Sequence, residues 1–238
     1  MQLNIRDAAK LLHVSEKKIY EWIRERKLPA NQVSGRTWFN RAELLEWATS
    51  QGVNISEEII ETTDASSISG VGSGSGSALS FSGALERGGI FYNVEGDDKP
   101  SVLKSVLDLM PLPKDADRKS LLRVLLAREE LSSTGIGKGI AIPHSRNPIV
   151  FHVSQPVISL CFLIKEIDFC AIDGEPVHTL FTIVTPNARV HLQLLSRLAF
   201  ALHNPSFNKV IKQKLPKEEI LKMAHRIDSN IKSPDSTG

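Results

Sequence analysis

Residues 157–184 read VISLCFLIKEIDFCAIDGEPVHTLFTIV. The runs 157–165 and 180–184 are nearly continuously apolar, as interior strands of a sheet covered on both faces should be. Asp173-Gly174 between them is a hairpin signal, and it predicts that 169–172 pairs with 177–184. Working outward, residues 90–94 and 139–142 also have strand character, while 100–109 and 117–128 carry helical periodicity. In the latter, Leu121, Leu122, Leu125 and Leu126 fall on one side. Three more helical segments, 188–202, 205–213 and 216–227, close the chain. Helices on both sides of such strands imply an α/β fold: a three-layer α/β/α domain with a mixed sheet.

The full chain has 238 residues, enough for one large or two modest domains, and 41% hydrophobic with 24% charged residues excludes wholesale disorder. The break is visible. Residues 53–79 hold four acidic groups and no Lys or Arg, and they end in SGVGSGSGS. Gly/Ser sequence of this kind buries little surface and keeps high backbone entropy, which predicts a flexible linker. It separates a unit of residues 1–52, with nine Lys/Arg against six Asp/Glu, from a unit of residues 80–238, with twenty against seventeen. No apolar run approaches the roughly 18 residues needed to span a bilayer, and the first thirty residues lack a signal-peptide core. These features predict a cytoplasmic protein with no membrane partner. Cys161 and Cys170 form neither a disulfide framework nor a metal knuckle, and no cofactor or metal is expected.

In the first unit Asn4 can cap one helix and Ser15 a second, in which Ile19, Trp22 and Ile23 make a narrow apolar stripe. Lys17, Lys18, Tyr20 and Arg24 point elsewhere. An extended stretch then turns at Ser34-Gly35 and returns through Arg36-Thr37-Trp38-Phe39, after which Asn40 and Glu43 form a capping-box-like start for a third helix. Helix, turn, helix and hairpin can place one helix in the DNA major groove with the hairpin tip on a flanking backbone. The string LNIRDAAKLLHVSEKKIYEWIRERKLPANQVSGRTWFNRAELLEW, residues 3–47, resembles the excisionase-type, MerR-like winged helix-turn-helix family. That likeness makes the second helix the reader, offers Lys17, Lys18, Tyr20 and Arg24 to duplex DNA, and puts Arg36 on the wing. A net charge of +3 is a weak footprint for one copy, and a homodimer would double it.

Most histidines of the chain lack a partner at a revealing spacing. His144 is different. It follows the glycine-punctuated stretch Ser132 to Gly139, in which Thr134, Gly135, Gly137 and Gly139 bring backbone amides where an anion could approach. Arg146 lies two residues beyond, on the same face if the stretch is extended. The spacing is neither a Walker loop nor a dinucleotide fingerprint. REELSSTGIGKGIAIPHSR, FCAIDGEPVHTLFTIVTP and ARVHLQLLSRLA together resemble the mannitol/fructose-type enzyme IIA domain of the bacterial phosphotransferase system, nearest its nitrogen-regulatory branch.

That resemblance implies a phosphotransferase component in which His144 takes a phosphoryl group from a histidine phosphocarrier protein. It also places His191 at the same site as a hydrogen-bond donor and makes Arg146 a phosphate-stabilising cation. With Asn187 as cap, His191 falls in the second turn of its helix, where the positive end favours a neutral ring. Two positions depart from the family pattern: Cys170 stands where an acidic residue is common, and Lys138 where a neutral one is. Two classes of function remain open. One is a phosphoryl-transfer protein acting on regulatory target proteins according to nitrogen or carbon status. The other is a DNA-binding transcriptional regulator whose second unit is only a sensor or docking module.

Overall fold

The computed structural model describes residues 2–25, 28, 30–33, 36–40, 44, 47–48, 53, 80–145 and 153–231. The first unit begins with β1 (Gln2–Leu3), α1 (Ile5–Leu11) and α2 (Glu16–Arg24), followed by β2 (Asn31–Val33) and β3 (Arg36–Asn40). The expected caps form. Asn4 and Asp7 make a reciprocal capping box, and the Ser15 side chain accepts from the Lys18 amide. β3 is the central strand, antiparallel to both β1 and β2. Ala8, Leu12, Ile19, Phe39, Leu44 and Ala48 are buried together, and Trp22 meets Trp47 edge-on with ring centroids 5.0 Å apart. Val53, the first residue of the expected linker, packs against this cluster too. The rest of the expected linker, the Ser34-Gly35 turn and much of the third helix lie outside the described residues.

The second unit starts where Ser80 caps α3 (Phe81–Gly88), its hydroxyl accepting from the Gly83 amide at 3.0 Å. There follow β4 (Ile90–Val94), α4 (Lys99–Leu109), α5 (Arg118–Leu131), β5 (Gly135–Gly137), β6 (Ile140–Ala141), β7 (Val157–Ile167) and β8 (Val177–Val184). Helices α6 (Ala188–His203), α7 (Pro205–Lys212) and α8 (Lys217–Ile231) complete it. The five strands lie in the order β4-β7-β8-β6-β5. β4/β7 and β6/β8 are parallel, while β7/β8 and β5/β6 are antiparallel, so the sheet is mixed.

Alternation along β7 produces the three layers. Ile158, Leu160 and Phe162 join Phe81, Leu85, Leu194, Leu198 and Phe207 beneath α3, α6, α7 and α8. Val157, Cys161 and Leu163 face the other way, into Val102, Val106, Leu121 and Leu125 of α4 and α5. Burial of the Cys161 thiol pushes its pKa up to about 12. On the first face, buried Asp228 of α8 accepts from the Phe81 and Ser82 amides at 3.2 and 2.7 Å and lies 3.5 Å from Arg197 of α6. A carboxylate is thereby set against the positive end of α3.

The expected pairing of 169–172 does not occur. Those residues are irregular: Cys170 has a left-handed φ of +52°, its amide donates to Asp168, and the Gly174 amide closes a turn onto the Ala171 carbonyl. Two tight turns use up the backbone groups a strand would need, and β8 pairs with β7 instead.

Candidate phosphoryl-transfer site

The sequence from α5 to His144 folds as a short hairpin at the sheet edge. β5 and β6 are joined by Lys138-Gly139, and Gly137, Lys138 and Gly139 have φ of +90°, +55° and +72°. A β-carbon on Gly139 would lie 2.3 Å from His178 Nε2, so this glycine is required both by its φ and by the close approach of β8. The turn is held from two sides. The Gly139 carbonyl accepts from the His178 and Thr179 amides, and the Lys138 amide donates to Asp173 Oδ2 at 2.7 Å. Backbone bonds from Lys138 and then Glu175 keep the Asp173 carboxyl below its ordinary pKa. His178 is shifted down, first by burial and then by Lys214.

Hydrogen bonds within the protein engage part of the glycine stretch. The Thr134 amide donates to Glu129, the Gly135 amide to the Ser133 hydroxyl and the Lys138 amide to Asp173. Three amides of the stretch are therefore satisfied inside the protein. Its glycines serve close packing, since a β-carbon on Gly135 would sit 2.7 Å from Ala171 Cβ. Thr134, Gly135, Gly137 and Gly139 shape the edge on which the histidine sits.

Beyond β6 the chain stays extended, and His144 bridges Ile183 of β8 in parallel fashion. Its ring is buried, with the residue 4% exposed, and Nδ1 lies 2.7 Å from the Ile142 carbonyl. A carbonyl can only accept, so Nδ1 carries the proton, and in the neutral ring the lone pair is on Nε2. From the other side α6 begins at Asn187, whose side chain accepts from the Val190 amide at 3.0 Å. This cap sets His191 one turn in, 5% exposed, with its ring centroid 5.1 Å from that of His144 and the planes tilted by 34°. The two histidines singled out in the sequence are thus brought together. Arg146 lies outside the described residues.

Two buried charged residues next to this edge have no role assigned by the sequence motifs. Arg128 and Glu129 close α5; Arg128 Nη1 donates to the Ser132 carbonyl at 2.8 Å, and Glu129 accepts from both the amide and hydroxyl of Thr134. Their signal in the sequence is a charged pair at a helix end, with Glu129 six residues ahead of the first glycine of the stretch, Gly135.

The relatives agree with the geometry. A family model described as "Phosphoenolpyruvate-dependent sugar phosphotransferase system, EIIA 2" matches residues 84–226, well over half of the chain. The chain belongs to this family. Residues 3–52 match a model described as a helix-turn-helix domain. A nitrogen regulatory protein of Pseudomonas aeruginosa is 38% identical over 122 residues, covering 50% of this chain and 77% of its own. One from Klebsiella oxytoca is 29% identical over 65% of this chain and 95% of its own. The crystal structure of the nitrogen regulatory protein IIA-Ntr from Neisseria meningitidis superposes with a TM-score of 0.52 at 28% identity, over 60% of this chain and 97% of that one. The second unit is therefore a type-2 IIA domain with the IIA-Ntr fold, preceded by a helix-turn-helix domain.

In that first domain the reader candidates lie on α2. Lys17, Lys18, Tyr20 and Arg24 are all exposed, Tyr20 to 56%. Lys18 is engaged: its Nζ lies 3.1 Å from Glu21 Oε2 and 5.7 Å from the Trp22 ring. Among the described residues, neither Lys17 nor Arg24 makes a side-chain hydrogen bond or ion pair. Arg36 is in β3, and its side chain lies outside the described part of the structure. No helix among the described residues is long and apolar enough to cross a membrane, and no group of three or more His, Cys, Asp or Glu among them is placed to hold a metal.

Proposed function

We propose that this protein accepts a phosphoryl group on His144 Nε2 from the phosphohistidine of a phosphocarrier protein, and that the helix-turn-helix domain, tethered through residues 53–79, binds duplex DNA. The observation that carries the first part is the bond from His144 Nδ1 to the Ile142 carbonyl, which fixes the tautomer an attacking imidazole needs. In the transfer the donor's P–N bond breaks as a new P–N bond forms at Nε2. The Nδ1 proton stays in place, and the donor ring leaves with its electron pair, so no base is required. The transition state spreads negative charge over three equatorial oxygens, and catalysis is mainly positioning and charge stabilisation. His191, facing His144 from the start of α6, is suited to donate to one of these oxygens. Arg146 is the proposed cation from the segment that follows.

The second part rests on the exposed cations of α2 and on the helix-turn-helix match. Regulatory output follows if the phosphorylation state of His144 alters DNA contacts or the docking of target proteins. The test is incubation of the full chain with phosphoenolpyruvate, the general phosphotransferase enzyme and the phosphocarrier. An acid-labile label should appear in the unmutated protein and be absent from His144→Ala. Equal labelling of the two proteins overturns the assignment.

A further inference from the structure

Glu129 is an unusual residue to find where it is. Its side chain is 4% exposed, and it sits in the last turn of α5, where the negative end of the helix disfavours a carboxylate. A buried charge is retained only when it is paired and hydrogen-bonded. Here Lys99, from the first turn of α4, places Nζ 3.5 Å from Oε1, while the Thr134 hydroxyl and amide donate to Oε2 at 2.6 and 3.0 Å. Lys99 is itself positioned over the Phe169 ring, 5.5 Å from its centroid, on the loop that packs against the glycine stretch.

What the carboxylate holds leads straight to His144. The Thr134 carbonyl accepts from the Ile142 amide at 3.0 Å, and the Ile142 carbonyl in turn accepts from His144 Nδ1 at 2.7 Å. Ile142, whose carbonyl orients the nucleophile, is thus held through its amide by Thr134, and Thr134 is fixed by Glu129. Charge-assisted bonds are roughly twice as strong as neutral ones, so a carboxylate is a better anchor for this strand than a serine or asparagine would be.

We propose that Glu129, balanced by Lys99, is a positioning residue for phosphoryl transfer. It clamps Thr134, and through the backbone of Ile142, from its amide to its carbonyl, holds His144 in the Nδ1-protonated tautomer with Nε2 aimed at the incoming phosphorus. The proposal rests on His144 being the acceptor. Misplacing a reacting atom by about 1 Å can cost on the order of a hundredfold in rate, and loosening one strand of the support should cost less.

The experiment uses the full chain labelled with 15N-histidine. In the unmutated protein His144 should show the Nδ1–H tautomer as a single species. Glu129→Ala should give a mixture of tautomers and lower the transfer rate at saturating phosphocarrier about tenfold, with the half-saturating carrier concentration unchanged. Glu129→Gln keeps one carbonyl acceptor for Thr134, so it should recover part of both losses. The inference is overturned if a cooperatively melting Glu129→Ala keeps the single tautomer and a rate within twofold of the unmutated protein. It is equally overturned if rate and half-saturation deteriorate together, as for a merely structural residue. Should Glu129→Ala fail to fold, Glu129→Gln decides: an intermediate rate with a second tautomer supports the clamp, and behaviour identical to the unmutated protein rejects it. If the phosphocarrier labels no variant, including the unmutated chain, the acceptor reading fails, and the tautomer spectra still report on the clamp.

Discussion

The IIA domain and the helix-turn-helix domain carry their candidate functional groups in opposite ways. His144, His191 and Glu129 are buried, the first bonded to the Ile142 carbonyl, the second set against the His144 ring and the third bonded to Thr134, on a domain with apolar layers on both faces of a sheet. Lys17, Tyr20 and Arg24 stand exposed on one helix, over a single small core. Buried groups act through fixed geometry in a low-dielectric surrounding, so each is hard to replace. Exposed cations act through summed charge, and each contributes a similar, salt-screened increment. Substitutions in the first domain should therefore be graded and additive, whereas substitutions in the second should be abrupt.

The largest effect short of removing the nucleophile belongs to His191. With its centroid 5.1 Å from that of His144, its ring would, on the proposed function, contact the phosphoryl group without bonding to phosphorus. His191→Ala should accordingly slow acceptance roughly 10- to 100-fold, in the range typical of losing one transition-state donor. Single-turnover labelling measures this. A rate within twofold of the unmutated protein would break the picture of a paired-histidine site and leave positioning of His144 as the whole of the catalysis.

Next comes Gly139. Because its φ is +72° and a β-carbon would lie 2.3 Å from His178 Nε2, Gly139→Ala must strain the turn or push the imidazole aside. We expect a loss of about 1–3 kcal/mol, the scale of a residue forced into a sparsely populated conformation. Thermal denaturation of the full chain measures it, and the loss should fall on the transition belonging to the IIA domain. A shift in the helix-turn-helix transition as well would mean that the two units melt together.

In the helix-turn-helix domain the increments are smaller. Lys17→Ala and Arg24→Ala should each reduce the slope of log affinity against log salt by about 0.9 for every phosphate no longer neutralised, and weaken binding to all sequences alike. Lys18 begins from a 3.1 Å ion pair with Glu21, so Lys18→Ala should change the slope less than Lys17→Ala does. Tyr20→Ala should alter preference among sequences if its ring reaches base edges. Equal slopes for all three cation variants would mean that the Lys18–Glu21 pair opens on DNA. Salt-independent binding would favour protein docking over DNA.

The same contrast explains what can be read from the sequence. The nearly continuous apolar runs 157–165 and 180–184 report burial on two faces directly, and the caps at Asn4, Ser15 and Asn187 are local signals; these strands and caps form in the structure. His144 stands out because glycines and a proline give its surroundings a rare spacing. The pairing of 169–172 is misread from sequence because the Asp173-Gly174 turn is real, while its neighbours spend their backbone groups on Asp168 and Ala171. Glu129 is illegible for a different reason. A carboxylate at a helix end reads as solvated until a lysine thirty residues earlier, from another helix, is seen to cover it.

The smallest predicted effect tests whether the support beneath the site responds to acid. His178 lies under the Gly139 turn, with Nδ1 2.8 Å from the Thr179 hydroxyl. Burial, and then the positive charge of Lys214, hold its pKa below the ordinary imidazole value of 6.5, against an opposing pull from Glu166. Between the folded and unfolded values the unfolded chain binds more protons, so stability rises with pH across that interval. The contribution of the neutral ring is complete above about 6.5, and it is lost as pH falls through the lower folded value. His178→Gln removes the titration, so the drop in melting temperature on acidification from neutral pH should be smaller in the variant than in the unmutated protein. The ring is partly solvated, and screening keeps the difference modest. Parallel pH profiles for the two proteins would mean that the hairpin yields enough to hydrate His178 on protonation. The turn beside the candidate site would then be softer than its glycines and its bond to Asp173 imply.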